Sequence, residues 1–294
     1  MTEPRAQGPL FERMAVIGLG LIGGSLARAA RQSGLVGTVV AADRSDDELA
    51  LGVELGVIDG HGSVAEAVAG ADLVVVAVPV RATRDVLAAI RPHLSPEAVL
   101  TDVGRTKGRF VAAVHEIFGG WPSRVIPGHP IAGSEKNGVS AARGDLFSDH
   151  KVILTPPADA APDALERLTR LWQGCGATVL TMDVARHDEV LAATSHLPHL
   201  IAFSLVDTLA GEDQNMEIFR YAAGGFRDFT RIAASDPVMW HDIFLSNRDA
   251  VLRVIDHFNE DLAQLRQAIE DQDGAALLRV FSRARAARNH FSKM

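Results

Sequence analysis

Met14-Ala-Val-Ile-Gly18-Leu-Gly20-Leu-Ile-Gly23 decides the fold of this chain. A short apolar strand runs straight into three spaced glycines, and the residues from Leu21 to Arg31 continue with helical spacing. In a strand–turn–helix unit the first glycine makes the turn, the second lets the backbone approach a pyrophosphate, and the third lets helix pack on strand. The helix start adds free N–H groups and the positive end of its dipole. Gly18, Gly20, Leu21, Ile22 and Gly23 are therefore the expected pyrophosphate-side residues of a dinucleotide site. Asp43 closes the next strand, 20 residues after Gly23. A carboxylate there accepts both ribose hydroxyls and repels a 2′-phosphate, which favours NAD over NADP, although Arg44 beside it would tolerate a phosphate.

Further strands are read at 39–42, 73–78, 98–100, 124–126, 151–154 and 178–180, with helices at 46–55, 81–90 and 163–173. Short strands alternating with helices predict an α/β, mostly parallel, doubly wound sheet of Rossmann type. That domain is assigned to residues 11–181, after a proline-containing tail at 1–10. From Val184 onward the apolar period is helical and no strand is read, so residues 182–294 form a C-terminal all-helical domain. Its long stretches, 188–209 and 237–287, carry more apolar side chains than a small bundle buries alone, which predicts a homodimer built on this half.

With 294 residues, 47% hydrophobic and 22% charged, the chain has the composition of a soluble globular protein of two domains. A net charge of −8 argues against a nucleic-acid surface and requires an anionic substrate to be met by a local basic pocket. One cysteine, Cys175, excludes an intrachain disulfide and suits a reducing cytoplasm. No signal-peptide core is read at the N-terminus, and the longest aliphatic run, 73–80, is too short to span a bilayer, so no membrane partner is expected.

The chemistry is expected at the carboxyl ends of the later strands. Val78-Pro79-Val80 leaves one of them, and Val80 and Thr83 are placed to cover the adenosine or a ribose, although an ordinary strand-to-helix turn reads equally well. Thr101-Asp102-Val-Gly104-Arg105-Thr106-Lys107 leaves the next and should emerge beside the nicotinamide, with Asp102 on the cofactor side. Gly128-His129-Pro-Ile-Ala-Gly-Ser134-Glu135-Lys-Asn-Gly138 follows. Its single histidine, framed by Gly and Pro in a tight turn, suits the base that takes a hydroxyl proton as hydride leaves; a purely structural histidine is the alternative. Ser195-His196-Leu-Pro-His199 puts two imidazoles at i and i+3 on one helix face. Nothing is spaced to complete a metal site around them, and no metal is expected. Gly224-Gly-Phe-Arg227-Asp228-Phe-Thr-Arg231 gathers two guanidiniums suited to a carboxylate, against the alternative of a solvated helix end. Trp240 reads as a core or interface aromatic.

Taken together, these segments resemble the prephenate/arogenate (cyclohexadienyl) dehydrogenase family of tyrosine biosynthesis. The matching pieces are 16–25, 128–138, 195–199, 225–231 and 236–240, in the family's order. The resemblance implies a Rossmann domain joined to a helical dimerisation domain, and NAD-dependent oxidative decarboxylation of prephenate to 4-hydroxyphenylpyruvate, or of arogenate to tyrosine. It implies that His129 bonds the C4 hydroxyl and that Arg231 holds a substrate carboxylate. Ser134 and Glu135 would lie at the pocket mouth, and His199, Asp228 and Trp240 around the substrate, with Trp240 reaching in from the partner subunit as one option. Arg227 beside Arg231 leans toward the more anionic prephenate.

The chain departs from the family where Gly104-Arg105-Thr106-Lys107 replaces a Gly-Ser-x-Lys segment whose serine bonds the catalytic histidine. Thr106 substituting, Ser195 orienting His129, and Arg105 binding substrate are all open readings. No room is expected for a fused mutase or regulatory domain. The competing readings are a β-hydroxyacid dehydrogenase, which would normally carry a lysine on the linking helix where this chain has histidines, and a non-catalytic NAD-sensing regulator.

Overall fold

A computed structural model describes residues 8–133, 136–212 and 217–291. The first part of the chain runs β1 (Phe11–Ile17), α1 (Leu21–Gln32), β2 (Val36–Ala42), α2 (Asp46–Glu54), β3 (Gly60–His61), α3 (Val64–Val68) and β4 (Leu73–Val76). It continues through α4 (Thr83–Ile90), β5 (Val99–Asp102), α5 (Lys107–Phe118), β6 (Gly128–Pro130), β7 (Lys151–Leu154), α6 (Pro162–Gly174) and β8 (Thr178–Thr181). Five strands form one parallel sheet in the order β3-β2-β1-β4-β5. The order reverses between β1 and β4, and ligands bind at the carboxyl ends of strands at such a switch point.

Side chains of one strand point to opposite faces in turn, and both faces are covered. Met14, Val16, Val39, Leu73 and Val75 pack with α1 and α6 on one side. Ala15, Ile17, Val74, Val76 and Leu100 pack with α3, α4 and α5 on the other. This double burial is why the strands read as continuous aliphatic runs.

The sheet does not simply continue past β5. Residues 124–126 lie beside β5, with Leu100 N–H donating to Arg124 O (3.0 Å) and Ile126 N–H to Leu100 O (2.8 Å). Pro127 has no N–H and ends that pairing. The next strand is β6, which runs antiparallel to β7 in a second sheet ordered β6-β7-β8. His129 therefore sits in a strand opposite Ile153, not in the expected turn. Pro130 is tolerated because β6 is an edge strand. The helix α5 and the short α3 and β3 are elements beyond those the spacing predicts, and Leu10, in the expected tail, is tied in by Arg167 Nη2 donating to its carbonyl at 2.8 Å.

The later residues form α7 (Val184–Leu191), a π turn at Ala192–His196, α8 (Leu197–Glu212), α9 (Gly224–Thr230), α10 (Pro237–Ser246), α11 (Arg248–Glu270) and α12 (Gly274–Phe291). The helical run Val184–Gly211 is long and apolar enough to cross a membrane by length and composition, and only 22% of its most apolar window is buried within the protomer. By compactness the chain divides into Met1–Asn247 and Arg248–Met294, a later division than the change of periodicity suggests. In the second unit Leu262, Ile269, Leu278 and Phe281 are all more than half exposed.

Candidate active site

At the switch point the glycine loop has the geometry its sequence demands. Gly18 adopts φ +101°, and a Cβ there would come within 2.5 Å of the Ala77 carbonyl oxygen and 3.0 Å of Val78 Cγ1. Nothing lies within 4 Å of the position a Gly20 side chain would take. Gly20 caps α1 without a side-chain bond, and the first turn carries no acid, so its leading N–H groups are free to meet an anion. Leu21 and Ile22 are half-buried at that turn, and Gly23 is buried. Asp43 is anchored to the loop: Oδ2 accepts from Leu19 N–H (2.7 Å) and Oδ1 from Ser45 N–H (2.9 Å). Each oxygen keeps a lone pair for a ribose hydroxyl. Val78 and Val80 are half-buried after β4, and Thr83 is buried at the start of α4. These residues fit a dinucleotide.

Asp102 has a different place from the one expected. Its carboxylate is buried and closed by internal donors: Lys107 Nζ (2.5 Å), Gly104 N–H (2.9 Å) and Gly128 N–H (3.2 Å). Lys107, fully buried, also donates to the Gly128 carbonyl at 2.5 Å. Burial raises the carboxyl pKa of Asp102 and lowers the ammonium of Lys107, and their mutual attraction opposes both shifts. This pair ties β5, the start of α5 and β6 together, and so fixes the backbone that carries His129.

His129 is 3% exposed. Its Nδ1 lies 2.9 Å from His187 Nε2, and His187 Nδ1 lies 2.8 Å from Asp188 Oδ1. Asp188 in turn accepts the first N–H groups of α5, from Lys107 (2.9 Å) and Gly108 (2.8 Å). Thr106, at the N-cap of α5, makes no capping bond, and its buried hydroxyl has no partner. A carboxylate from α7 thus caps α5 across 81 residues of chain. Burial pulls the Asp188 pKa up, but the bonds from His187 and the two backbone N–H groups outweigh it and the net shift is down. Burial, then the charges of His187, Lys107, Arg105 and His196, hold His129 well below the ordinary imidazole range.

The histidines of the helical half flank Trp240. Pro198 cannot donate an N–H to the preceding turn, and the chain there takes a π turn, a feature frequent at functional sites. Asn247 Nδ2 donates to Asp188 O (2.8 Å) and meets His196 Nδ1 at 3.2 Å, so that nitrogen accepts and the proton sits on Nε2. Burial, more than the neighbouring charges, lowers the His196 pKa to about 4. His199 Nδ1 lies 2.8 Å from Ser195 O and so donates to it. The His199 ring stacks on Trp240 at 3.7 Å between centroids. Trp240 is buried within its own protomer, and its Nε1 has no partner.

Not every expected residue comes together. No hydrogen bond joins Ser195 or Thr106 to His129 among the described residues; His187 occupies that position instead. Arg231 is exposed and acts electrostatically on His199, without touching His129. Arg227 and Asp228 are exposed on α9. Ser134 and Glu135 lie outside the described residues. Arg105 has no hydrogen bond or ion pair among the described residues, and desolvation lowers its pKa. Its charge is felt by His129, His196 and His199 alike. Among the described residues no group of three His, Cys, Asp or Glu side chains is placed to hold a metal. The residues missed from the sequence are His187, Asp188 and Asn247. An adjacent His-Asp pair on a helix is the only local hint of the first two, and it is a common dipeptide.

A Rossmann-type sheet with an open glycine loop, an anchored ribose-side carboxylate and a buried neutral imidazole defines a nicotinamide-dependent dehydrogenase. Residues 26–181 match the prephenate dehydrogenase nucleotide-binding domain and residues 183–283 the prephenate dehydrogenase dimerization domain. The chain belongs to the prephenate dehydrogenase family, which sets aside the β-hydroxyacid dehydrogenase and sensor readings. It is 42% identical to the cyclohexadienyl dehydrogenase of Zymomonas mobilis over 95% of this chain and 96% of that one. Its fold is similar to prephenate dehydrogenase from Aquifex aeolicus in complex with hydroxyphenyl propionate and NAD+ (TM-score 0.88, 35% identity, 95% and 98% of the two chains). It is also similar to Synechocystis arogenate dehydrogenase (TM-score 0.82, 28% identity, 95% and 99%).

Proposed function

We propose that the protein oxidatively decarboxylates prephenate to 4-hydroxyphenylpyruvate with NAD, in the cytosol and as a step toward tyrosine. The observation that carries this reading is His129: a buried imidazole, neutral at physiological pH, on the strand after β5 and locked to the backbone that leaves the cofactor crevice. NAD, when bound, accepts the hydride from C4. The protein's residues do the rest. His129 takes the C4 hydroxyl proton as that hydride leaves. The ketone formed is vinylogous to a β-keto acid, so the ring carboxylate departs as CO₂ and the ring becomes aromatic. No metal is required by this chemistry.

Arg231 is assigned to a substrate carboxylate, with His199 and Trp240 beside it and Arg227, Asp228, Ser134 and Glu135 toward the mouth. Arg105 is assigned to the same anion: a desolvated guanidinium with no acidic partner among the described residues gains most from a carboxylate ligand. It also disfavours an ammonium near it, so prephenate is the preferred substrate and arogenate the second reading. Asp43 makes NAD the cofactor over NADP. The domain boundary is kept at 181/182, and the helical half is read as the homodimer interface. Support comes from the exposed apolar residues of α11 and α12 and the largely unburied run Val184–Gly211, which a second copy would cover. The direct test is kcat/KM for prephenate and for arogenate with NAD. Prephenate is expected to be used at least ten-fold better; no turnover of either acid rejects the assignment.

A further inference from the structure

The chain of groups behind His129 admits a defined order of protons. Lys107 N–H and Gly108 N–H are fixed donors into the Asp188 carboxylate, at 2.9 Å and 2.8 Å. The third group against that carboxylate, His187 Nδ1 at 2.8 Å, must then carry a proton, because two lone pairs at that distance repel. A neutral His187 so fixed has a bare Nε2. That atom sits 2.9 Å from His129 Nδ1, which must donate, leaving His129 with a bare Nε2.

We propose that His187 and Asp188 are positioning residues that hold His129 as its Nδ1–H tautomer, with Nε2 always free to receive the substrate proton. This rests on the reading of His129 as the base. As the C4 oxygen–hydrogen bond breaks, its proton forms a new N–H bond at His129 Nε2, while the C4–H electron pair leaves as hydride to the nicotinamide. The imidazolium so formed strengthens its Nδ1–H bond to His187, and the Asp188 negative charge stands one ring away. The logic is that of an acid–histidine pair orienting a base, with a second imidazole inserted. The serine that the family places against this histidine is then dispensable, which accounts for Arg105 being tolerated in its position.

The charged and titratable groups facing His129 are His187 from α7, Lys107 from the start of α5, Arg105 from the loop before it, and His196 from the π turn; those facing Asp188 are His187, Lys107 and His196. The primary experiment is ¹⁵N NMR of the histidine rings in the intact wild-type protein above pH 7, with signals assigned from single substitutions. Protonated Nδ1 and bare Nε2 in both His129 and His187 is the expected result. A His187 imidazolium, or a proton on His129 Nε2, overturns the proposal.

Kinetics provides a second arm. His187→Leu is expected to lower kcat by about 10–10²-fold, within the range of general-base contributions, with NAD affinity unchanged. His187→Gln, whose side-chain oxygen still accepts from His129 Nδ1–H, should recover part of that loss. A neutral His187 that accepts from His129 Nδ1–H stabilises the His129 imidazolium, so His187→Leu is expected to move the acid limb of the kcat/KM profile to lower pH and His187→Gln to move it less. Wild-type kcat and an unmoved limb in both variants would also sink the relay. Wild-type protein that turns over neither prephenate nor arogenate rejects the activity instead, and the NMR result still judges the tautomer.

Discussion

An imidazole surrounded by cations and removed from water stays unprotonated at neutral pH, and this environment makes His129 a candidate base. His129→Asn is expected to lower turnover by about 10²–10⁴-fold while leaving NAD binding intact, read by stopped-flow turnover beside a cofactor titration. Arg105 acts through charge rather than proton transfer. Arg105→Ser should shift the ratio of kcat/KM for prephenate over arogenate about ten-fold toward arogenate, the size of one charge-assisted bond exchanged for water. An unchanged ratio would place Arg105 outside the substrate site. At this scale the sequence pointed to His129, His196 and His199 by residue type and spacing. It could not tell that His187 would face His129, since the two lie 58 residues apart.

Elements hold the site through two buried electrostatic joints, Asp102–Lys107 and Asp188 with the start of α5. The first joins β5, α5 and β6 with the lysine fully enclosed. Lys107→Met would leave Asp102 buried and uncompensated, so a loss of about 3–5 kcal/mol is expected by denaturant titration, together with loss of activity. Most elements were legible from period and turn chemistry, the glycine loop most of all. Those that escaped have physical reasons. β6 is three residues long and contains a proline, and α5 opens on a threonine that does not cap it. Its cap comes from α7, which no window of local sequence contains. The long helical-period stretch at 188–209 falls in two helices joined by a π turn, where Pro198 breaks the backbone ladder.

For the whole molecule, α11 and α12 leave large apolar side chains in water, a costly arrangement for a lone protomer. Replacing Leu262 and Phe281 together with Glu is expected to convert a dimer to monomer, followed by sedimentation, and to lower activity with it. A wild-type protein that is monomeric at micromolar concentration would remove the interface assignment. The net charge of −8 belongs to this scale too, since under the proposed function substrate capture would depend on the local cations Arg105, Arg227 and Arg231. Raising ionic strength should therefore weaken prephenate binding by screening those exposed at the mouth.

The sequence by itself determined the dinucleotide fold, the change to helices after residue 181, and which histidine is put forward as the base, because each is written in local spacing: three glycines, a period of two or of 3.6, one histidine between Gly and Pro. Only the tertiary structure decided what stands behind that histidine, what closes the Asp102 carboxylate, and that Arg105 has no acidic partner among the described residues. Those are contacts between residues far apart in the chain. Hydrogen-bond order and desolvation arise from which groups the packed fold brings within 3 Å of one another, and no local pattern encodes that approach.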